Sequence, residues 1–255
     1  MTQSTTDRDY SPFRHDGSDV GVLLCHGFSG APGSLRGWAD HLVAAGYSVR
    51  LPLLPGHGTR WQDMNRTTFD DWLAAVTREF RELTATCRAV FVCGLSMGGT
   101  LTLRLAELYP DAIAGIVLVN PSVLTQRWDA KWVLPWLPYL LPAYPGIAGD
   151  IAKPGVTEPG YKYMATKAVQ SLSKAWPVVR ADLPRITAPV LLLHSTVDHT
   201  VEPVNAQVVR SEIGSADVTA IELTRSYHVA TLDHDAEFIF EASVEFFEKV
   251  TASLS

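Results

Sequence analysis

Two kinds of apolar pattern alternate along the chain. The first is a nearly unbroken apolar run, as in VGVLLC at 20–25, AVFVCGL at 89–95 and PVLLLHS at 189–195. Such runs predict strands buried on both faces, as in a parallel sheet covered by helices. The second is an apolar position every third or fourth residue, which predicts amphipathic helix. Leu35, Trp38, Leu42 and Ala45 mark one helix over 32–45, and Leu73, Val76, Phe80 and Leu83 mark another that begins near Thr68. Thr67 or Thr68 is positioned to cap the second helix. Asp70 and Asp71 fall in its first turn, where the helix dipole favours negative charge. Further strands are predicted over 47–53, 113–119 and 218–223, and further helices over 97–109, 203–213 and 235–250.

The alternation stops between residue 121 and about residue 179. No strand pattern occurs there, prolines are frequent, and Trp128, Trp132, Trp136, Tyr139 and Tyr144 crowd together in sequence. Regular alternation on both sides predicts one α/β domain, a mostly parallel central sheet with helices on both faces. The interrupted stretch predicts a small cap inserted after the sixth strand. The core is placed at 1–120 and 181–255, and the cap at 121–180. Residues 133–148 (VLPWLPYLLPAYPGIA) carry no charge, but they are short for a membrane span and hold four prolines. They read as an apolar lid that allows transient membrane contact, not as a transmembrane segment.

Composition narrows the function classes. With 47% hydrophobic and 19% charged residues, the 255-residue chain is expected to bury a sizeable soluble core. A net charge of −6 and the lack of any Lys/Arg run argue against a nucleic-acid partner. Residues 1–17 are polar and lack the apolar stretch of a secretory signal, so a cytoplasmic location is expected. Cys25, Cys87 and Cys93 are expected to be reduced thiols.

The chemistry is concentrated in a few short segments. Gly94-Leu95-Ser96-Met97-Gly98 matches G-x-S-x-G between a predicted buried strand and a predicted helix, the context that a nucleophile elbow requires. The sharp turn exposes the Ser96 hydroxyl, and the flanking glycines let neighbouring backbone come close. A serine hydroxyl needs a base to take its proton. His228 lies between the last predicted strand and the last predicted helix, where this chain order places the base. His234 is its nearest rival and reads as a solvated residue at a helix start. Asp198, three residues beyond the strand ending at Ser195, is the candidate acid that orients His228. Asp182, Asp217, Asp233 and Asp235 read as surface charges or helix caps. Oxyanion donors are expected from the backbone of Met97 and from Phe28 in the loop HGFSG at 26–30. His57, His194 and His199 have no metal-ligand spacing, and neither a metal nor a cofactor is expected.

HGFSG (26–30), LPLLPGHGT (51–59), GLSMGG (94–99), the segment around Asp198-His199 and SYHVATLD (226–233) occur in that order over nearly the whole chain. Together they resemble the bacterial monoacylglycerol lipase and small thermostable carboxylesterase family. The resemblance implies an α/β-hydrolase fold with a small lid, acting on monoacylglycerols and short esters without a cofactor. It carries over to Ser96, Asp198 and His228 as triad and to Phe28 and Met97 as oxyanion donors. The segment 150–161 is similar to the family's lid, which implies Glu158 and Ile147 beside the glycerol group. The stretch 128–144 departs from the family in its Trp and Pro content.

The expected activity is cleavage of carboxylic esters, foremost monoacylglycerols, through an acyl-enzyme on Ser96. A general short-chain carboxylesterase or a thioesterase would use the same residues. A ligand-binding protein with vestigial activity would share the scaffold. The expected partner is a small-molecule ester or lipid, with the chain as monomer or homodimer.

Overall fold

The computed structural model describes residues 9–126, 136–146 and 149–254. Seven strands form the main sheet in the order β1-β3-β2-β4-β5-β8-β9. They are β1 (Phe13–His15), β2 (Val20–Cys25), β3 (Ser48–Leu51), β4 (Ala89–Leu95), β5 (Gly115–Val119), β8 (Val190–Ser195) and β9 (Val218–Leu223). Every neighbouring pair is parallel except β1 with β3. A second, two-stranded antiparallel sheet joins β6 (Ala143–Pro145) to β7 (Tyr163–Ala165).

The unbroken apolar runs are explained by burial on both faces. Every residue of β2, β4 and β5 is buried. Along β4 the side chains alternate: Val90 and Val92 enter one core, while Phe91, Cys93 and Leu95 enter the other. Helices α2 (Phe69–Thr84), α3 (Met97–Leu108), α4 (Thr166–Asp182) and α5 (Val204–Glu212) cover the first core. Helices α1 (Arg36–Ala44) and α6 (Ala236–Ser253) cover the second. Thr68 caps α2 in a reciprocal capping box with Asp71. Apolar burial of this kind stabilises by roughly 25 cal/mol per Å².

The sheet order positions the site. After β2 the chain adds β3 on one side and then β4 on the other, so the winding direction reverses at β2 and β4. The loops leaving the carboxyl ends of those two strands diverge there and open a crevice. They are the HGFSG loop and the Ser96 turn.

Several expectations need correction. Residues 32–45 do not form one helix: Pro32–Leu35 is a 3₁₀ turn and α1 follows it. The stretch 121–179 does contain strands, since β6 and β7 lie within it. Each has three residues, too few for alternation to register. This stretch follows the fifth strand among the described residues rather than the sixth, because the antiparallel edge there contributes only β1. Helix α4 begins within the same stretch, and its Ala168, Leu172, Ala175 and Val179 join the first core. Of the aromatic residues that crowd together in sequence there, Trp136 and Tyr139 are 67% and 82% exposed. Trp128, Trp132 and Ile147 lie outside the described residues. Among the described residues no helix is long and apolar enough to cross a membrane.

Candidate active site

Ser96 is the single residue between β4 and α3, and it holds φ 59° and ψ −119°. A non-glycine residue tolerates such a backbone only where its surroundings fix it. Here the Ser96 N–H donates to the Val119 carbonyl, and the Ser96 carbonyl accepts from Gly99, Thr100 and Ser122. The two motif glycines are required by close approach. A Cβ on Gly94 would collide with the Gly98 carbonyl, and one on Gly98 with the Cys25 carbonyl. The motif is therefore the seam where α3 sits against the carboxyl ends of β2 and β4.

His228 and Asp198 meet directly. Nδ1 of His228 donates to Oδ2 of Asp198 at 2.7 Å. The other Asp198 oxygen accepts from the backbone N–H groups of Thr200 and Val201, at 2.8 and 2.7 Å. This fixes the carboxylate in its turn, and binding at Nδ1 leaves Nε2 of His228 for other chemistry. Burial pushes the imidazole pKa down. The hydrogen bond and charge of Asp198, with the charges of Glu158 and Asp150, outweigh it and hold the pKa above the usual histidine value.

The His228 loop is mounted by residues that sequence reasoning missed or misread. Asn120 follows β5, has a positive φ of 45° and is buried. Its Nδ2 donates to the His228 carbonyl at 2.8 Å and to Ser195 Oγ at 3.0 Å. Ser195 Oγ in turn donates to the Tyr227 carbonyl. Since Val119 binds Ser96 and Asn120 binds His228, two consecutive residues tie the Ser96 turn to the His228 loop. Asp233 and Asp235, expected as surface charges or caps, are 2% and 6% exposed. Asp233 accepts from the N–H groups of Tyr227, His234, Ala152 and Lys153, and Asp235 accepts from Ser226 Oγ and Arg225. Four N–H donors offset the cost of burying that carboxylate. Asn120 ends an apolar strand, the one signal that marked it. Asp233 ends the SYHVATLD string.

The HGFSG loop rests on a floor of neutral rings. Buried His26 accepts at Nε2 from the Leu54 N–H, so its proton sits on Nδ1 and faces the Gly27 carbonyl. Burial lowers its pKa to about 4, and that of His57 to about 3. His57 stands edge-on to both His26 and Trp72, and Phe28 stands edge-on to Trp72. Phe28 is thus anchored by its ring while its backbone stays in the loop. Met97 is the first residue of α3, where the N–H has no acceptor within the helix.

Residues 149–161 run across these loops as a strap. The Tyr161 N–H donates to the Ser29 carbonyl at 3.0 Å, and the Tyr161 hydroxyl donates to Gly56 and accepts from Thr59. Glu158 accepts from Ser34 Oγ at 3.2 Å and from the Gly149 N–H at 3.3 Å. Burial raises the Glu158 pKa against the opposing pull of His228, Ser34 and Gly149. The other candidates do not join the His228–Asp198 pair. His234 is exposed, His199 binds Asp150, and among the described residues no three His, Cys, Asp or Glu gather as metal ligands would.

A strained serine, a buried His–Asp pair and the HGFSG loop, gathered at the carboxyl ends of the strands, suit acyl transfer. Comparison with known proteins agrees. A model of the alpha/beta hydrolase family matches residues 22–242. The chain is 44% identical over 239 residues to a thermostable monoacylglycerol lipase of Bacillus sp. (strain H-257), covering 93% of this chain and 94% of that protein. It is 27% identical to a carboxylesterase of Bacillus subtilis (strain 168), covering 94% and 96%. A solved structure from LipS and LipT, two metagenome-derived lipolytic enzymes, superposes with a TM-score of 0.92 at 38% identity, covering 94% of this chain and 98% of that one.

Proposed function

The chain belongs to the alpha/beta hydrolase family, and from that premise we propose that it hydrolyses carboxylic esters through an acyl-enzyme on Ser96, with monoacylglycerols as the foremost substrates. The observation that carries this reading is the 2.7 Å bond from His228 to Asp198, on a loop tied by Val119–Asn120 to the strained Ser96 turn.

Nε2 of His228 takes the hydroxyl proton while Ser96 Oγ attacks the ester carbonyl carbon. The carbonyl oxygen becomes an oxyanion, and the N–H groups of Phe28 and Met97 receive it; losing one such donor costs about 3 kcal/mol of transition-state stabilisation. The intermediate collapses, the alcohol leaves with the proton from His228, and the acyl group stays on Ser96. A water then gives a proton to His228 and attacks the acyl carbon. The acid leaves, and the proton returns to Ser96.

The segment 121–180 supplies the cap of this site, with helix α4 at its end packed on the first core. The 44% identical relative is a monoacylglycerol lipase, and the polar pair Glu158–Ser34 offers acceptors for a hydroxylated head group. An acyl chain buried under the cap contributes roughly 0.8 kcal/mol per CH₂. A general carboxylesterase is the second reading, supported by the Bacillus subtilis relative.

The test is hydrolysis of 1-monoacylglycerols of graded chain length beside p-nitrophenyl esters and a triacylglycerol. Preference for monoacylglycerol that disappears in a folded Ser96→Ala variant supports the reading. Activity on short esters alone leaves the carboxylesterase, and activity retained in Ser96→Ala removes the assignment.

A further inference from the structure

The strap does more than cover the crevice. Asp150 lies at its start, with a side chain only 9% exposed. Its Oδ2 accepts from the backbone N–H of His228 at 3.3 Å and from that of His199 at 3.0 Å. Its Oδ1 pairs with Nδ1 of His199 at 2.8 Å, and its own carbonyl accepts from the Val229 N–H at 3.0 Å. Two residues on, the N–H groups of Ala152 and Lys153 donate to Asp233, the carboxylate that also holds Tyr227. Asp150 and the buried Asp233 thus stitch residues 150–153 to both sides of His228.

From this stitching we infer that Asp150 is a positioning residue for His228, so that the inserted segment supplies part of the base's mount as well as a cover for substrate. The inference rests on reading His228 as the base. The His228 backbone is held at its carbonyl by Asn120 from the core and at its N–H by Asp150 from the insertion. With the amide end free, the ring keeps its bond to Asp198, but its Nε2 is no longer fixed relative to Ser96. A displacement near 1 Å costs about 100-fold in rate even when the altered residue is remote from the chemistry. The same carboxylate also adds negative charge beside the ring. The charged groups facing His228 are Asp198, Glu158 and Asp150, and His199 is bonded to the last of these.

The experiment compares Asp150→Ala and Asp150→Asn with the unaltered protein on a p-nitrophenyl ester too small to need the cap. In Asp150→Ala, kcat is expected to fall about 10- to 100-fold with little change in KM, since the base is displaced and not the substrate. Asp150→Asn keeps an oxygen for the His228 N–H and is expected to recover most of the rate. It also removes a charge that holds the imidazolium, so the acidic limb of its kcat/KM profile is expected at lower pH. Unchanged kcat in folded Asp150→Ala, or a loss confined to KM, overturns the inference. If Asp150→Ala does not fold, the Asn profile decides: an unmoved acidic limb overturns the inference. Failure of the parent reading looks different, because the unaltered protein would then show neither ester turnover nor fluorophosphonate labelling of Ser96.

Discussion

Two parts of the inserted segment, residues 149–161 and the short helix Leu137–Leu140, differ in how they are held. Residues 149–161 hold their place by hydrogen bonds to four places in the core: Tyr161 on the HGFSG loop and on Gly56, Glu158 on Ser34, and Asp150 with its neighbours on the His228 loop. The short helix Leu137–Leu140 and the residues beside it instead present Trp136, Tyr139, Leu140 and Leu141 to solvent, each about half exposed or more. One part is specified by polar partners and borders the HGFSG and His228 loops. The other presents an apolar surface, and its edge at Leu141 and Pro142 is tied to Asn65 and Thr166. Burial and bonding therefore divide the segment into a part whose side chains bond the core and a part whose side chains face solvent.

The largest effect is expected where the strap meets the His228–Asp198 pair. Asp198→Asn keeps the shape of the turn but removes the carboxylate that holds Nδ1–H of His228, and kcat is expected to fall about 10⁴-fold. Steady-state kinetics on a short ester checks it, and a comparable loss from a tip variant would erase the contrast between the two parts.

Acid should weaken the floor beneath the strap next. His26 and His57 stay neutral in the folded protein down to about pH 4 and about pH 3. The unfolded chain takes up these protons near pH 6.5, so it binds more protons than the folded state across that window. Stability is therefore full above about pH 6.5 and is expected to decline by several kcal/mol as pH falls towards 3. Urea titrations at a series of pH values measure the slope. His57→Phe should flatten it, and an unchanged slope would mean that His57 protonates freely when folded.

Smaller still is the cost of unpicking the strap's far stitch. Tyr161→Phe removes the hydroxyl that bridges Gly56 and Thr59. The expected loss is about 1 kcal/mol, or a Tm lowered by roughly 2–4 °C in a chain of this size. At the tip, Trp136→Ser with Tyr139→Ser should change stability by less than about 0.5 kcal/mol, because exposed side chains lose little on removal. Short-ester turnover should be unchanged as well. A large fall in Tm would show that the tip is packed.

What the sequence could convey follows from the same contrast. VGVLLC and AVFVCGL were legible as central strands because burial on both faces leaves no polar interruption. Ser96 was legible because its glycines are required by close approach, and that requirement is written in the residue types. His228 and Asp198 followed from chain order around the strands. Asp150 and Asp233 were not legible as parts of the mount, since a buried carboxylate and a surface one have the same letter and differ only in the N–H groups that surround them. Asn120 was hidden for a related reason: its role depends on a loop 108 residues away. β6 and β7 escaped notice because strands of three residues are too short to have a period to detect. The floor of His26, His57 and Trp72 was equally hidden, since ring contacts between distant segments leave no local pattern.

The most direct test is covalent. The protein and its Ser96→Ala variant are incubated with a fluorophosphonate, and the adduct is located by peptide mass mapping. A single adduct on Ser96 at neutral pH, absent from the variant and slowed by a monoacylglycerol, is the predicted result. No adduct, or an adduct elsewhere that persists in Ser96→Ala, would contradict an activated Ser96 and return the chain to a ligand-binding role on the same scaffold.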